Sequence, residues 1–141
     1  MPSQARGIRV AAELEAAVAT EAAERQKSWS NMAQELLEEA IRLRRSPGIV
    51  FADGPSGRRA VVAGSGLDVW EVIAAWKQGG EDLDGLRQNY SWMTVQQLRA
   101  ALSYYQLYPA EIDARLERER HWTSERLLGE HPFSRPQEPS R

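Results

Sequence analysis

The chain contains no cysteine. That excludes a disulfide framework, thiolate metal sites and cysteine nucleophiles. Histidine is scarce: only His121 and His131 occur, both in a charged C-terminal region, too sparse for a zinc site. Neither has a nucleophile and an orienting partner nearby. No apolar run approaches the roughly 20 residues that cross a bilayer, and no signal-peptide pattern opens the chain. A cytoplasmic protein is expected. Positive charge is lacking too. The 18 Lys and Arg stand against 20 Asp and Glu, a net charge of −2, and no segment is strongly basic. Any nucleic-acid contact must therefore come from local placement of arginines and backbone amides. Gly64-Ser65-Gly66 is too short for a phosphate loop, and no Gly-Lys-Ser/Thr motif follows it. The acid pairs Glu38-Glu39 and Glu81-Asp82 read as solvated helix faces. No enzyme, no metal and no cofactor is expected.

What is present is a 141-residue chain that reads in three segments, 1–46, 47–108 and 109–141. In the first, Ala5–Val10 alternates weakly and predicts a strand with Ile8 and Val10 on one face. The Ala-rich run Ala11–Arg25 predicts a helix with Leu14 and Val18 inward. A second helix, capped by Ser28 or Ser30, runs to about Arg45 on a stripe of Met32, Ala33, Leu36, Leu37, Ala40 and Ile41. In the second segment, Ile49–Phe51 and Arg59–Ala63 flank a turn-rich Asp53–Gly57 and predict a hairpin. Helices follow near Asp68–Gln78, Glu81–Asn89 and Thr94–Leu107. Their apolar positions are Val69, Val72, Ile73 and Trp76, then Leu83 and Leu86, then Val95, Leu98, Ala101, Leu102 and Tyr105. The third segment predicts an amphipathic helix at Ala110–Arg120, an interruption at His121-Trp122-Thr123, and a polar, Pro-rich end without fixed structure. The fold class expected is mainly α with short β elements.

The order strand, helix, helix over 1–45, with Ile8-Arg9-Val10, Glu13-Leu14, Ser28–Asn31 and Leu36–Ile41, resembles the ribbon-helix-helix family of bacterial repressors and antitoxins. The resemblance implies a homodimer whose paired strands enter the major groove. Arg9 would face base edges and Arg6 phosphate, while Ser30 and Asn31 would hold phosphate at the start of the second helix. Ile8, Val10, Leu14, Val18, Leu36, Leu37 and Ile41 would form the dimer core. Gly7 and Ala5 stand where that family carries polar readers, and Ala11 where it often carries proline.

Residues 47–128 resemble a second family, the small helix-turn-helix antitoxins long described only as a domain of unknown function. The residues that carry this are Val61–Trp70, Trp76–Gly80, Leu83–Tyr90, Thr94–Leu102 and Tyr108–Trp122. The resemblance implies a winged-helix-like domain, repression of the chain's own operon, and a C-terminal part that neutralises a toxin, commonly a PIN-type ribonuclease. Gln96, Gln97 and Arg99 near the start of the third helix are candidate base readers. Arg58 and Arg59 in the hairpin are candidate phosphate contacts. The toxin-binding candidates are Ile112, Arg115, Leu116, Arg118, Arg120, Trp122, Arg126, Leu127 and Leu128. For the apolar members the alternative is docking onto this chain's own core. Two other readings stand beside the antitoxin: a plain DNA-binding regulator without a toxin, and an interaction adaptor that binds no DNA.

Overall fold

The computed structural model describes residues 3–130, and side chains as far as residue 123. Two compact units divide the chain, residues 1–45 and 46–141. Among the described residues there are six helices and one two-stranded antiparallel hairpin, so the chain is mainly α with short β elements.

The first unit holds α1 (Ala12–Glu24) and α2 (Trp29–Arg45). A Schellman-type turn closes α1. The Gln26 and Lys27 amides donate to the Ala23 and Ala22 carbonyls at 3.2 and 2.9 Å, with Gln26 in the left-handed region at φ 56°. Ser28 caps α2: its hydroxyl accepts from the Asn31 amide at 3.1 Å. The helices meet over Val18, Ala22 and Met32, with Ala33 and Leu36 partly buried beside them. The Trp29 indole N–H donates to the Glu15 carbonyl at 3.2 Å and ties the two together.

The strand expected at Ala5–Val10 is not formed; residues 3–11 carry no regular structure. A single strand has no ladder for its N–H and C=O groups, and among its described residues the first unit has no other strand to pair with it. Of the expected dimer-core residues, Val18 and Leu36 pack within the chain, and Val10 is half-buried. Ile8, Leu14, Leu37 and Ile41 are exposed.

The second unit opens with the hairpin β1 (Ile49–Gly54) and β2 (Gly57–Val62). Its register runs from Ile49↔Val62 to Gly54↔Gly57 around a Pro55-Ser56 turn. Then come α3 (Val69–Gln78), α4 (Leu83–Asn89), α5 (Val95–Leu107) and α6 (Pro109–Glu130). The starts of α3, α4 and α5 each have a local cause. Glu71 reaches back to the Asp68 amide at 2.9 Å. Asp82 accepts from the Asp84 and Gly85 amides. Thr94 and Gln97 form a reciprocal capping box at 3.1 and 2.9 Å.

Gly80 closes α3 in the left-handed region at φ 77°, with the Gly80 and Glu81 amides donating to the Lys77 and Trp76 carbonyls. Nothing lies within 4 Å of a Cβ placed on Gly80, so its conformation alone requires glycine. Gly80→Ala is therefore expected to lower stability by about 1–2 kcal/mol, read by thermal unfolding.

The core comprises Val62, Val69, Val72, Ile73, Leu98, Ala101 and Tyr104, all fully buried, with Ile49, Leu86, Met93 and Ile112 around them. The inward tyrosine of α5 is Tyr104 as well as the half-buried Tyr105. Tyr104 donates to Glu111 on α6 and packs its ring against Tyr108 at 4.9 Å.

The structure overturns one expectation about the C-terminal segment. The helix is not interrupted at His121-Trp122-Thr123; α6 runs through to Glu130. No Gly or Pro stands between Ala110 and Leu128, and the Thr123 hydroxyl bonds back to the Glu119 carbonyl at 2.8 Å. Ile112 is buried in the core and Leu116 packs against it, so the first half of α6 belongs to the second unit.

Candidate nucleic-acid interface

The hairpin arginines are already engaged. The Arg58 guanidinium donates to the Asp53 carboxylate at 3.0 Å. Arg59 is paired with Asp68, a buried carboxylate that also accepts the Trp70 indole N–H at 3.2 Å. These contacts give both arginines a structural role within the unit. The signal was in the sequence: a turn at Pro55-Ser56 sets Asp53 opposite Arg58 in the ladder. The Arg58 pair is exposed, so it contributes little to stability and a phosphate could displace the acid. The Arg59 pair holds the start of α3 and is the less available of the two.

On α5 the three candidate readers separate. Gln97 is committed to the capping box, and its amide nitrogen donates to the Ala63 carbonyl at 3.0 Å, tying α5 to the end of the hairpin. Gln96 and Arg99 are exposed. In the first unit Arg6, Arg9, Ser30 and Asn31 are all exposed, but the Asn31 amide is taken by the Ser28 cap.

Trp92 lies exposed just before α5, 60% accessible, edge to face with Tyr90 at 6.1 Å. Burial, and after it the charge of Glu71, raises the Tyr90 pKa above its ordinary value, so the ring stays a neutral hydroxyl.

The toxin-binding candidates also separate. Ile112 and Leu116 serve the chain's own core. The Arg115 guanidinium lies over the Trp70 ring at 5.2 Å and donates to Glu119 at 2.8 Å. Arg118, Arg120 and Trp122 are exposed on α6, Trp122 at 64%. Arg126, Leu127 and Leu128 fall on α6 with side chains outside the described residues.

An open groove lies at the base of α6, lined by Trp76, Glu81, Leu102, Tyr105, Gln106 and Pro109. Beside it Lys77 sits 5.0 Å over the Tyr105 ring and 3.6 Å from Asp113, which also accepts the Tyr105 hydroxyl at 2.6 Å. Contact with Tyr105 first, and then Asp113, raises the Lys77 pKa above its ordinary value. Among the described residues, no three His, Asp or Glu side chains gather as a metal site. Nor is any helix there long and apolar enough to cross a membrane.

Fold and site together define a mainly helical chain of two units, the second built from a hairpin and four helices. Residues 49–105 match the model of a family described as Protein of unknown function (DUF433). The match takes in the hairpin and α3 to α5 and covers less than half of the chain; the first unit and α6 lie outside it. No curated protein and no solved structure matches the chain.

Proposed function

We propose that this chain is an antitoxin that dimerises through its first unit, sits on operator DNA and neutralises a toxin through the distal half of α6. The observation that carries the reading is the first unit's small core. Among the described residues it buries Val18, Ala22 and Met32, and leaves Ile8, Leu14, Leu37, Ile41 and Leu43 exposed. A unit that leaves so much apolar surface exposed offers a face for a partner. A second copy pairing Ala5–Val10 across a two-fold axis would supply it, as the ribbon-helix-helix resemblance implies. The same pairing would satisfy the unpartnered backbone of that stretch.

DNA contact then rests on Arg6 and Arg9 in the ribbon, on Ser30 and Asn31 at the head of α2, and on Gln96 and Arg99 in a helix-turn-helix made of α4 and α5. Toxin contact rests on Arg118, Arg120 and Trp122, and on Arg126, Leu127 and Leu128 beyond them. Arginines there are complementary to the acidic, metal-binding site of a PIN-type ribonuclease.

The adaptor reading also has an observation in its favour: net charge is −2 and both hairpin arginines are paired. Fluorescence anisotropy on DNA from upstream of the chain's own gene separates the two. The antitoxin reading predicts two chains per site, with affinity that falls steeply between about 50 and 200 mM salt. Gln96→Ala with Arg99→Ala should cost a further 1–3 kcal/mol or so per lost base contact. Absence of any salt-dependent binding at the low-salt end would leave the adaptor.

A further inference from the structure

The groove at the base of α6 has a composition that neither DNA nor toxin contact uses. Trp76 and Tyr105 stand edge to face with ring centroids 6.4 Å apart. Leu102 and Pro109 continue the apolar lining, and Glu81 brings a carboxylate to it. Lys77 is ion-paired with Asp113 beside it. Aromatic-lined grooves of this chemistry take proline-rich segments. Such a segment is ordered in its extended form before it binds, and its prolines present flat apolar faces.

The chain carries a segment that fits. Residues 131–141, outside the described residues, read His-Pro-Phe-Ser-Arg-Pro-Gln-Glu-Pro-Ser-Arg. Pro136 and Pro139 are three apart, so both fall on one edge of a helix with three residues per turn. Arg141 follows two residues after Pro139, and its guanidinium is complementary to Glu81.

We propose that the groove binds the proline-rich tail of a second copy of this chain, with Pro136 and Pro139 on Trp76 and Tyr105 and Arg141 toward Glu81. Length excludes the chain's own tail. Pro109 lines the groove and opens α6, and Glu130 stands 21 residues further along one unbroken helix. At 1.5 Å per residue that is about 32 Å. Pro136 is six residues past Glu130, at most about 22 Å of fully extended chain. A tail from another molecule has no such limit. The pairing requires neither DNA nor toxin, so it stands or falls apart from those contacts.

The test uses the full-length chain carrying Pro136→Ala and Pro139→Ala, whose own tails no longer compete for the groove, and a fluorescent peptide of native residues 131–141 followed by anisotropy. Saturable binding is expected. A peptide carrying Pro136→Ala and Pro139→Ala should bind about tenfold more weakly. The exposed Glu81→Lys substitution in the chain should weaken the native peptide several-fold at low salt and less at high salt. No binding, equal binding of the alanine peptide, or indifference to Glu81→Lys would each overturn the proposal.

Discussion

Ile112→Ala is expected to destabilise the second unit by about 2–5 kcal/mol, the range for truncating a buried aliphatic side chain. For a unit of this size that corresponds to a fall in Tm of about 10 °C or more. Ile112 is 4% exposed and sits among the fully buried side chains of α3 and α5. Tyr104 belongs to the same core and is held by Glu111, one residue before Ile112, and by Tyr108. Collapse into the vacated volume is therefore restricted, and the cavity cost is retained. Trp122→Ala on the same helix gives the contrast. Its side chain is 64% exposed, and stability should stay within about 0.5 kcal/mol. Thermal unfolding of the two variants side by side reads the result. The reverse pattern would place Ile112 in a partner's groove and Trp122 in the core.

If the proposed dimer and its DNA contact hold, Leu37→Glu combined with Ile41→Glu is expected to split the one and abolish the other while leaving the single chain folded. In one chain the two side chains are 59% and 51% exposed, so the monomer does not depend on them. They lie one helical turn apart on α2. Burying a Leu or Ile side chain contributes about 1.5–3 kcal/mol when burial is complete. A two-fold interface counts each residue twice. Allowing for the surface each already has covered, the pair contributes about 3–6 kcal/mol, a factor of roughly a hundred or more in dimer dissociation. Four carboxylates brought into that interface add a desolvation cost. Light scattering on the variant should give a monomer with unchanged helix content by circular dichroism. A native chain that is itself monomeric at micromolar concentration would remove the basis for the whole first unit.

The helices of the second unit were legible because their punctuation is local. Thr94 announces its cap, and Gly79-Gly80 announces the end of α3; Asp82, which reads as part of a solvated face, proves to be the cap of α4. The i, i+3, i+4 series Val69, Val72 and Ile73 maps directly onto the buried face. Tyr104 was harder to place. On α5 both Tyr104 and Tyr105 fit a helical stripe, and the choice was made by Glu111 and Tyr108, which only tertiary packing brings near. Ile112 and Leu116 illustrate the same limit. Their spacing defines an apolar face, but spacing cannot say whether the covering surface belongs to this chain or another. The hairpin arginines show a related limit. Composition counts Arg58 and Arg59 as positive charge, while strand register and the fold of α3 deliver an acid to each. The expected ribbon strand depends on a second molecule, so a single chain has no means of forming it.

Purifying the full chain together with the product of the gene beside its own, and weighing the complex by size exclusion with light scattering, tests the antitoxin reading most directly. The prediction is a stoichiometric assembly built on a dimer of this chain, in which the neighbour's ribonuclease activity is silenced. A dimer that elutes alone and leaves that activity intact would contradict it.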